Sequence, residues 1–170
     1  MTLAMVVLGL VTVERLAELW LARRNTAGLM AQGAREVAPG HYPLIVMLHA
    51  AWLGGLWVWG SQQPVNLIWL WVFVALQAGR FWVLATLGRR WTTRIIVVPG
   101  EVLVARGPYR FVSHPNYIVV IAEIAVLPLC LGLPWFAFVF SLANAAVLTI
   151  RIRAENAGLQ GARDGSFAKA

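Results

Sequence analysis

Residues 115–150, "PNYIVVIAEIAVLPLCLGLPWFAFVFSLANAAVLTI", carry one charged side chain, Glu123, in two apolar runs parted only by "LGLP" at 131–134. Roughly 17–25 mostly apolar residues suffice for a helix to cross the hydrocarbon of a bilayer. Each run is therefore sized for a span, and the Gly-Pro turn folds the two into a tight helical hairpin. Pro115 suits the first position of its helix, where a missing N–H costs nothing. Three earlier stretches pass the same test. The expected spans are about 2–21, 41–60, 65–87, 115–131 and 133–150 of a single domain covering residues 1–170. The fold class is an all-α integral membrane protein with five transmembrane helices.

Composition agrees. Of the 170 residues 60% are hydrophobic and 12% charged, against about 25% charged in soluble domains, and the mean hydropathy is +0.72. A soluble core cannot absorb that much apolar surface. The first run lacks a basic leader and carries Glu14 and Glu18, so it reads as a retained span rather than a signal peptide. The lone Cys130 excludes an intramolecular disulfide and a multi-cysteine metal site, and no metal is expected.

Charge sets the orientation. Arg23, Arg24 and Arg35 follow the first span, Arg89, Arg90, Arg94, Arg106 and Arg110 the third, and Arg151, Arg153, Arg163 and Lys169 the fifth. The opposite connections, "SQQP" and "LGLP", have no charge. The positive-inside rule puts the N-terminus outside and the C-terminus in the cytoplasm. The net charge of +7 is then mainly a topology signal with some attraction to anionic lipid. No basic stripe stands apart from a membrane boundary, which argues against nucleic acid as a partner. Before the fourth span, "RIIVVPGEVLV" at 94–104 sets two β-branched runs about a Pro-Gly turn, predicting a short hairpin-like loop on the cytoplasmic face.

Polar residues within spans are costly unless they face the protein interior, so each is a functional candidate. Glu14, Arg15 and Glu18 cluster in the first span, where Arg15 can reach Glu18 three residues on. A self-neutralising cluster that docks the helix is the plain alternative. Gln77 and Arg80 share a face of the third span, although Arg80 could instead snorkel to the interface. Asn116 and Glu123, seven residues apart, point the same way from the fourth. Asn144, Leu148, Arg151 and Glu155 form one stripe in the fifth, with Arg151 and Glu155 at ion-pair spacing. With His114 and Tyr117, these stripes end on the cytoplasmic side, where an amphiphile's head group would meet a water-soluble cofactor.

The ordered set "GPYRFVSHPNY" at 107–117 and "RIRAENAGL" at 151–159 resembles the isoprenylcysteine carboxyl methyltransferase family of integral-membrane methyltransferases. The likeness extends to "ERLAELWLARRN", "GHYPLIVMLH" and "LGRRWTTRIIVVPGE", and so to nearly the whole chain, closest to the small bacterial branch. The resemblance implies S-adenosylmethionine as methyl donor, bound at about 107–117 and 144–160. His114, Pro115 and Tyr117 would contact it, Tyr109 and the backbone of Val112 and Ser113 would shape the pocket, and Glu155 would hold its polar groups. Gln77 and Arg80 are further candidates for the cofactor site. Arg151 matches the arginine of the second motif and joins His114 and Glu123 as a catalytic candidate. Two positions depart from the family pattern. Ser113 stands where an arginine is expected and Asn156 where a second glutamate is, each removing a charge.

The resemblance points to membrane lipids and a lipophilic small molecule as partners, and to a bacterial inner membrane with the site facing the cytoplasm. It leaves self-association open. The expected acceptor is the hydroxyl of a long-chain polyketide lipid, such as an alkylpyrone or alkylresorcinol; a prenylcysteine-like carboxylate is the alternative. A hydroxyl must lose its proton, which makes His114 or Glu123 a candidate base. An NADPH-dependent membrane reductase, whose C-terminal helices are similar, and a non-enzymatic membrane protein are the rival readings.

Overall fold

A computed structural model describes residues 1–98 and 104–163, apart from the side chains of His41 and of residues 156–163. Five helices carry the fold: α1 (Leu3–Ala31), α2 (Tyr42–Gly60), α3 (Leu67–Leu87), α4 (Pro115–Cys130) and α5 (Pro134–Arg163). Two short strands, β1 (Arg35–Glu36) and β2 (Ile96–Val97), pair antiparallel.

Capping residues tie the connections into two opposite ends. Thr2 caps α1 by accepting from the Met5 amide at 3.1 Å, and its hydroxyl donates to the Ser61 carbonyl at 2.6 Å. Asn66 caps α3 through bonds from the amides of Ile68 and Trp69, while its own N–H donates to the Cys130 carbonyl at 2.8 Å. The start of α1, the α2–α3 turn and the α4–α5 turn therefore share one uncharged end. At that end Gly132 takes the left-handed conformation (φ +67°) that closes so short a helical hairpin, and Pro134 starts α5.

The arginine-bearing connections gather at the other end. Asn25 donates to the carbonyls of Gly88 and Trp91 at 3.0 and 2.9 Å, fastening α1 to the segment after α3. The run 95–98 differs from the expected hairpin in its partner. Ile96–Val97 pairs with Arg35–Glu36 from the chain after α1, and Arg94 clamps that pairing with an ion pair to Glu36 at 2.8 Å. The Pro99–Gly100 turn and most of its return run lie outside the described residues.

Three helical stretches are long and apolar enough to cross a membrane: Tyr42–Gly60, Leu67–Arg90 and Pro134–Glu155. α4 is apolar but shorter, and α1 carries the Glu14–Arg15–Glu18 cluster. Polarity is inverted relative to a soluble bundle. Glu18, Arg80, Glu123 and Asn144 are 7, 6, 3 and 2% exposed, while Val58, Ile68, Trp71, Trp135 and Leu142 lie on the outer surface. Outward apolar side chains and inward charges are what a lipid solvent selects, and the chain is an integral membrane protein.

The core joins Leu8 and Val11 of α1, Trp52 and Leu56 of α2, Phe73 of α3, and Ile124 and Leu127 of α4. α2 comes close to α5 because Gly55 has no Cβ; one there would lie 2.7 Å from the Phe136 ring. α4 packs most extensively on α3 and α5. Its Pro128 has no N–H for the carbonyl four residues back, that of Ile124. Trp52 supplies the replacement, donating its indole N–H to Ile124 O at 3.2 Å. In a hydrocarbon solvent such a carbonyl has no water to turn to.

Candidate active site

Among the described residues, two networks of linked polar side chains stand out. The first is at the arginine-bearing end, where α4 begins. His114 precedes the helix and its ring stacks on that of Tyr117, with centroids 5.0 Å apart and 10° between planes. The spacing follows from sequence, since residues three apart lie on neighbouring turns. Tyr117 is buried, and its hydroxyl donates to Glu155 Oε2 in a short hydrogen bond. Arg151 donates through Nε to the same hydroxyl at 2.8 Å and through a terminal nitrogen to the Thr93 carbonyl at 2.8 Å. One phenol thus joins the arginine and the glutamate of α5 to the first turn of α4.

Around this group, Pro115 is buried at the start of the helix, while Val112 and Ser113 are exposed on the segment leading into it. Tyr109, in the short helical turn Gly107–Arg110, is half-buried. Burial, and then the Glu155 carboxylate, push its phenol from 10.0 up to about 12, so it is a protonated donor at neutral pH. Asn116, next to Tyr117 in α4, has an amide oxygen buried without a partner among the described residues.

The second group lies deeper and connects α1, α3 and α4. Arg80 donates to Glu18 through Nε in a short bond and through a terminal nitrogen at 2.7 Å, and to Glu123 Oε2 at 2.7 Å. Arg15 donates to Glu18 and to Glu123 Oε2, both at 3.0 Å. Gln77 donates to Glu14 at 2.8 Å. Arg80 therefore turns inward rather than snorkelling to the interface. Three carboxylates share two guanidinium groups here, and Glu123 Oε1 is buried with no partner among the described residues.

The structure brings together His114, Tyr117, Arg151 and Glu155, with Tyr109 within electrostatic reach of Glu155. Gln77, Arg80 and Glu123 belong to the deeper network. Of the "RIRAENAGL" stretch, the side chain of Asn156 and those after it lie outside the described residues.

The elements that build the end group fall within residues 68–161, which match the isoprenylcysteine carboxyl methyltransferase (ICMT) family. The chain belongs to that family. Members are membrane methyltransferases that use S-adenosylmethionine, which makes this chain an enzyme of the methyl-transfer class. Among relatives of this ICMT-family protein is Bacillus subtilis YpbQ, an uncharacterized protein. It is 40% identical over 159 residues, covering 90% of this chain and 94% of the relative. An uncharacterized Haemophilus influenzae protein is 24% identical over 151 residues, covering 85% and 88%. No solved structure matches.

The end group suits the cofactor of the ICMT family chemically. Arg151 offers a fixed cation for a carboxylate, Glu155 an acceptor for hydroxyl or ammonium hydrogens, and the orphaned Asn116 oxygen an acceptor awaiting a donor. The His114–Tyr117 stack presents aromatic surface beside them. Sequence spacing alone missed the role of Tyr117 as the link between Arg151 and Glu155. It also missed that Arg15 and Glu18, read as a local pair, are partners of Glu123 and Arg80. The signal available was the deficit of cations against carboxylates within the spans.

Proposed function

We propose that this ICMT-family protein is an O-methyltransferase that methylates the hydroxyl of a membrane-embedded lipid, most simply a long-chain polyketide. The observation that carries this reading is the Tyr117 hydroxyl shared by Arg151 and Glu155, set at the end of a bundle that buries Glu18, Arg80 and Glu123 deeper inside. In this reading all five helices span the membrane. The N-terminus is outside and the end group faces the cytoplasm of a bacterial cell, supported by the arginines gathered there.

His114, Tyr117, Arg151 and Glu155 hold the cofactor, with Tyr109, Pro115 and the backbone of Val112 and Ser113 shaping its pocket. Bound S-adenosylmethionine supplies a methyl group on a positively charged sulfur. The protein's task is alignment, which is worth several kcal/mol when reacting atoms are held in contact and in line, up to roughly 7–11 in ideal cases. A dry surrounding favours a transition state that loses charge. Gln77 and Arg80 hold the inner carboxylates in place beneath the pocket, and His114 and Glu123 are the motif side chains able to take an acceptor's proton. Ser113 and Asn156 leave the site less charged than the family pattern, which suits a hydroxyl acceptor over an ionised one. The family's own description favours a second reading, a prenylcysteine-like carboxylate as acceptor.

Mass spectrometry of lipid extracts, incubated with the protein and a trideuteromethyl donor, tests the proposal. A discrete lipid carrying the label on a hydroxyl supports it. Label on a carboxyl would favour the second reading, and no label in any lipid would overturn both.

A further inference from the structure

α2 turns one further titratable side chain toward the interior, outside both groups. His49 precedes Trp52 by three residues and Leu56 by seven, so the three share a helical face. Trp52 and Leu56 are 2 and 0% exposed, and Trp52 bonds to the carbonyl of Ile124, the neighbour of Glu123. At the start of α2 the Tyr42 hydroxyl lies 3.2 Å from that of Thr93, whose carbonyl Arg151 holds, so along α2 the half-buried His49 stands between the level of the end group and that of Ile124. Its Nδ1 lies 2.9 Å from the Ile45 carbonyl, the ring's one hydrogen bond among the described residues. A carbonyl only accepts, so in the neutral ring Nδ1 carries the hydrogen and Nε2 keeps a free lone pair.

We propose that His49 is the base of the reaction, its Nε2 receiving the proton of a hydroxyl acceptor held between the end group and Glu123. The inference rests on the O-methyltransferase reading above. The acceptor's O–H bond breaks, with its proton going to Nε2 and its electron pair to oxygen. That oxygen forms the new O–CH3 bond as the sulfur–methyl bond breaks and leaves its pair on sulfur. One positive charge disappears from sulfur as one appears on the imidazole, so the dry interior gains no net charge. His114 stays with the cofactor, stacked on Tyr117, and Glu123 stays in the deeper network, its Oε2 bound by Arg15 and Arg80. A carboxylate acceptor arrives without a proton and makes no use of His49.

The full chain in lipid nanodiscs is incubated with trideuteromethyl donor and either a long-chain alkylresorcinol or N-acetyl-S-farnesylcysteine. The variant is His49→Asn, whose side-chain amide can keep the bond to the Ile45 carbonyl while removing Nε2. Labelling of the resorcinol is expected to fall about a hundredfold or more. Donor affinity and any labelling of the cysteine carboxylate stay within about twofold, the latter because no proton is lost. Resorcinol labelling that persists in His49→Asn overturns the assignment while leaving the methyltransferase reading intact, whereas a wild-type protein that labels neither acceptor overturns that reading itself. Nitrogen-15 NMR of histidine-labelled protein, assigned against His49→Asn, gives a readout free of turnover. A bare Nε2 whose signal moves when the resorcinol is added supports the proposal. A hydrogen on Nε2, or no response to the lipid, overturns it.

Discussion

The Nε of Arg151 donates to the hydroxyl of Tyr117 at 2.8 Å, and through that oxygen the arginine is coupled to Glu155 one turn along its own helix. The phenol is both acceptor and donor, and neither partner can move independently of it. Tyr117→Phe keeps the ring stacked on His114 and removes only this coupling. Hydrogen bonds to charged groups are worth roughly 1.5–3 kcal/mol, so S-adenosylmethionine affinity should fall about tenfold to a hundredfold. Calorimetry in detergent measures it. Glu155→Ala should weaken affinity by a similar factor, and a normal dissociation constant in both variants would dissociate the cofactor from this group.

His114 and Glu123 should separate by function. His114→Ala removes the stacking partner of Tyr117 and should weaken donor binding. Glu123→Gln leaves the end group untouched, and should bind the donor normally while slowing methyl transfer at least tenfold. Single-turnover rates at saturating donor distinguish the two, and full turnover in Glu123→Gln at neutral pH would make Glu123 a structural residue.

Arg80→Ala leaves the buried Glu18 and Glu123 with Arg15 alone. Breaking a buried pair by removing one partner costs about 3–5 kcal/mol. A fall in melting temperature in detergent is expected, larger than that of Arg94→Ala, whose partner Glu36 lies at a more accessible site. Equal melting temperatures for the two variants would mean the inner network does not hold the helices together.

Tyr109 makes the folded protein sensitive to strong alkali. Its folded phenol keeps its proton up to about 12, while the unfolded chain releases it near 10.0. The stabilisation this gives is complete below pH 10 and is lost as the pH rises through 12. Tyr109→Phe should flatten the decline in melting temperature over that window. An identical alkaline limb in the variant would locate the sensitivity elsewhere.

Topology is open to chemical labelling. On a Cys130→Ala background, a cysteine at Ser61 should react with an impermeant thiol reagent on intact cells, and one at Thr92 only after permeabilisation. The reverse pattern would invert the proposed orientation.

The helices were legible because hydrocarbon sets their length and composition directly: "LGLP" marks its turn by Gly132 and Pro134, and Pro115 starts α4 as its ring dictates. Local pairs were legible too, since Arg15 and Glu18 meet at the spacing a helix imposes. Helix ends were less so. α1 continues to Ala31, well past its apolar stretch, because polar residues beyond the membrane boundary carry no signal to stop it. Contacts between helices were not legible. Nothing in the chain states that Arg80 meets Glu18 sixty-two positions away, or that β2 pairs with Arg35–Glu36. Such choices depend on how the helices rotate against one another, which no local pattern encodes. His49 went unnoticed for that reason, as its meaning comes from the face Trp52 fixes.

The bond from Trp52 to the carbonyl freed by Pro128 also acts as a check on assembly. Sliding or rotating α2 by one residue turns the indole about 100° away and leaves Ile124 O bare in a solvent that cannot hydrate it. A misinserted α2 is thus penalised at one point in α4, in a newly made chain before any ligand is present. The proline that weakens its own helix becomes a proofreading mark for its neighbour, and the two positions should change together or not at all as the family diverges.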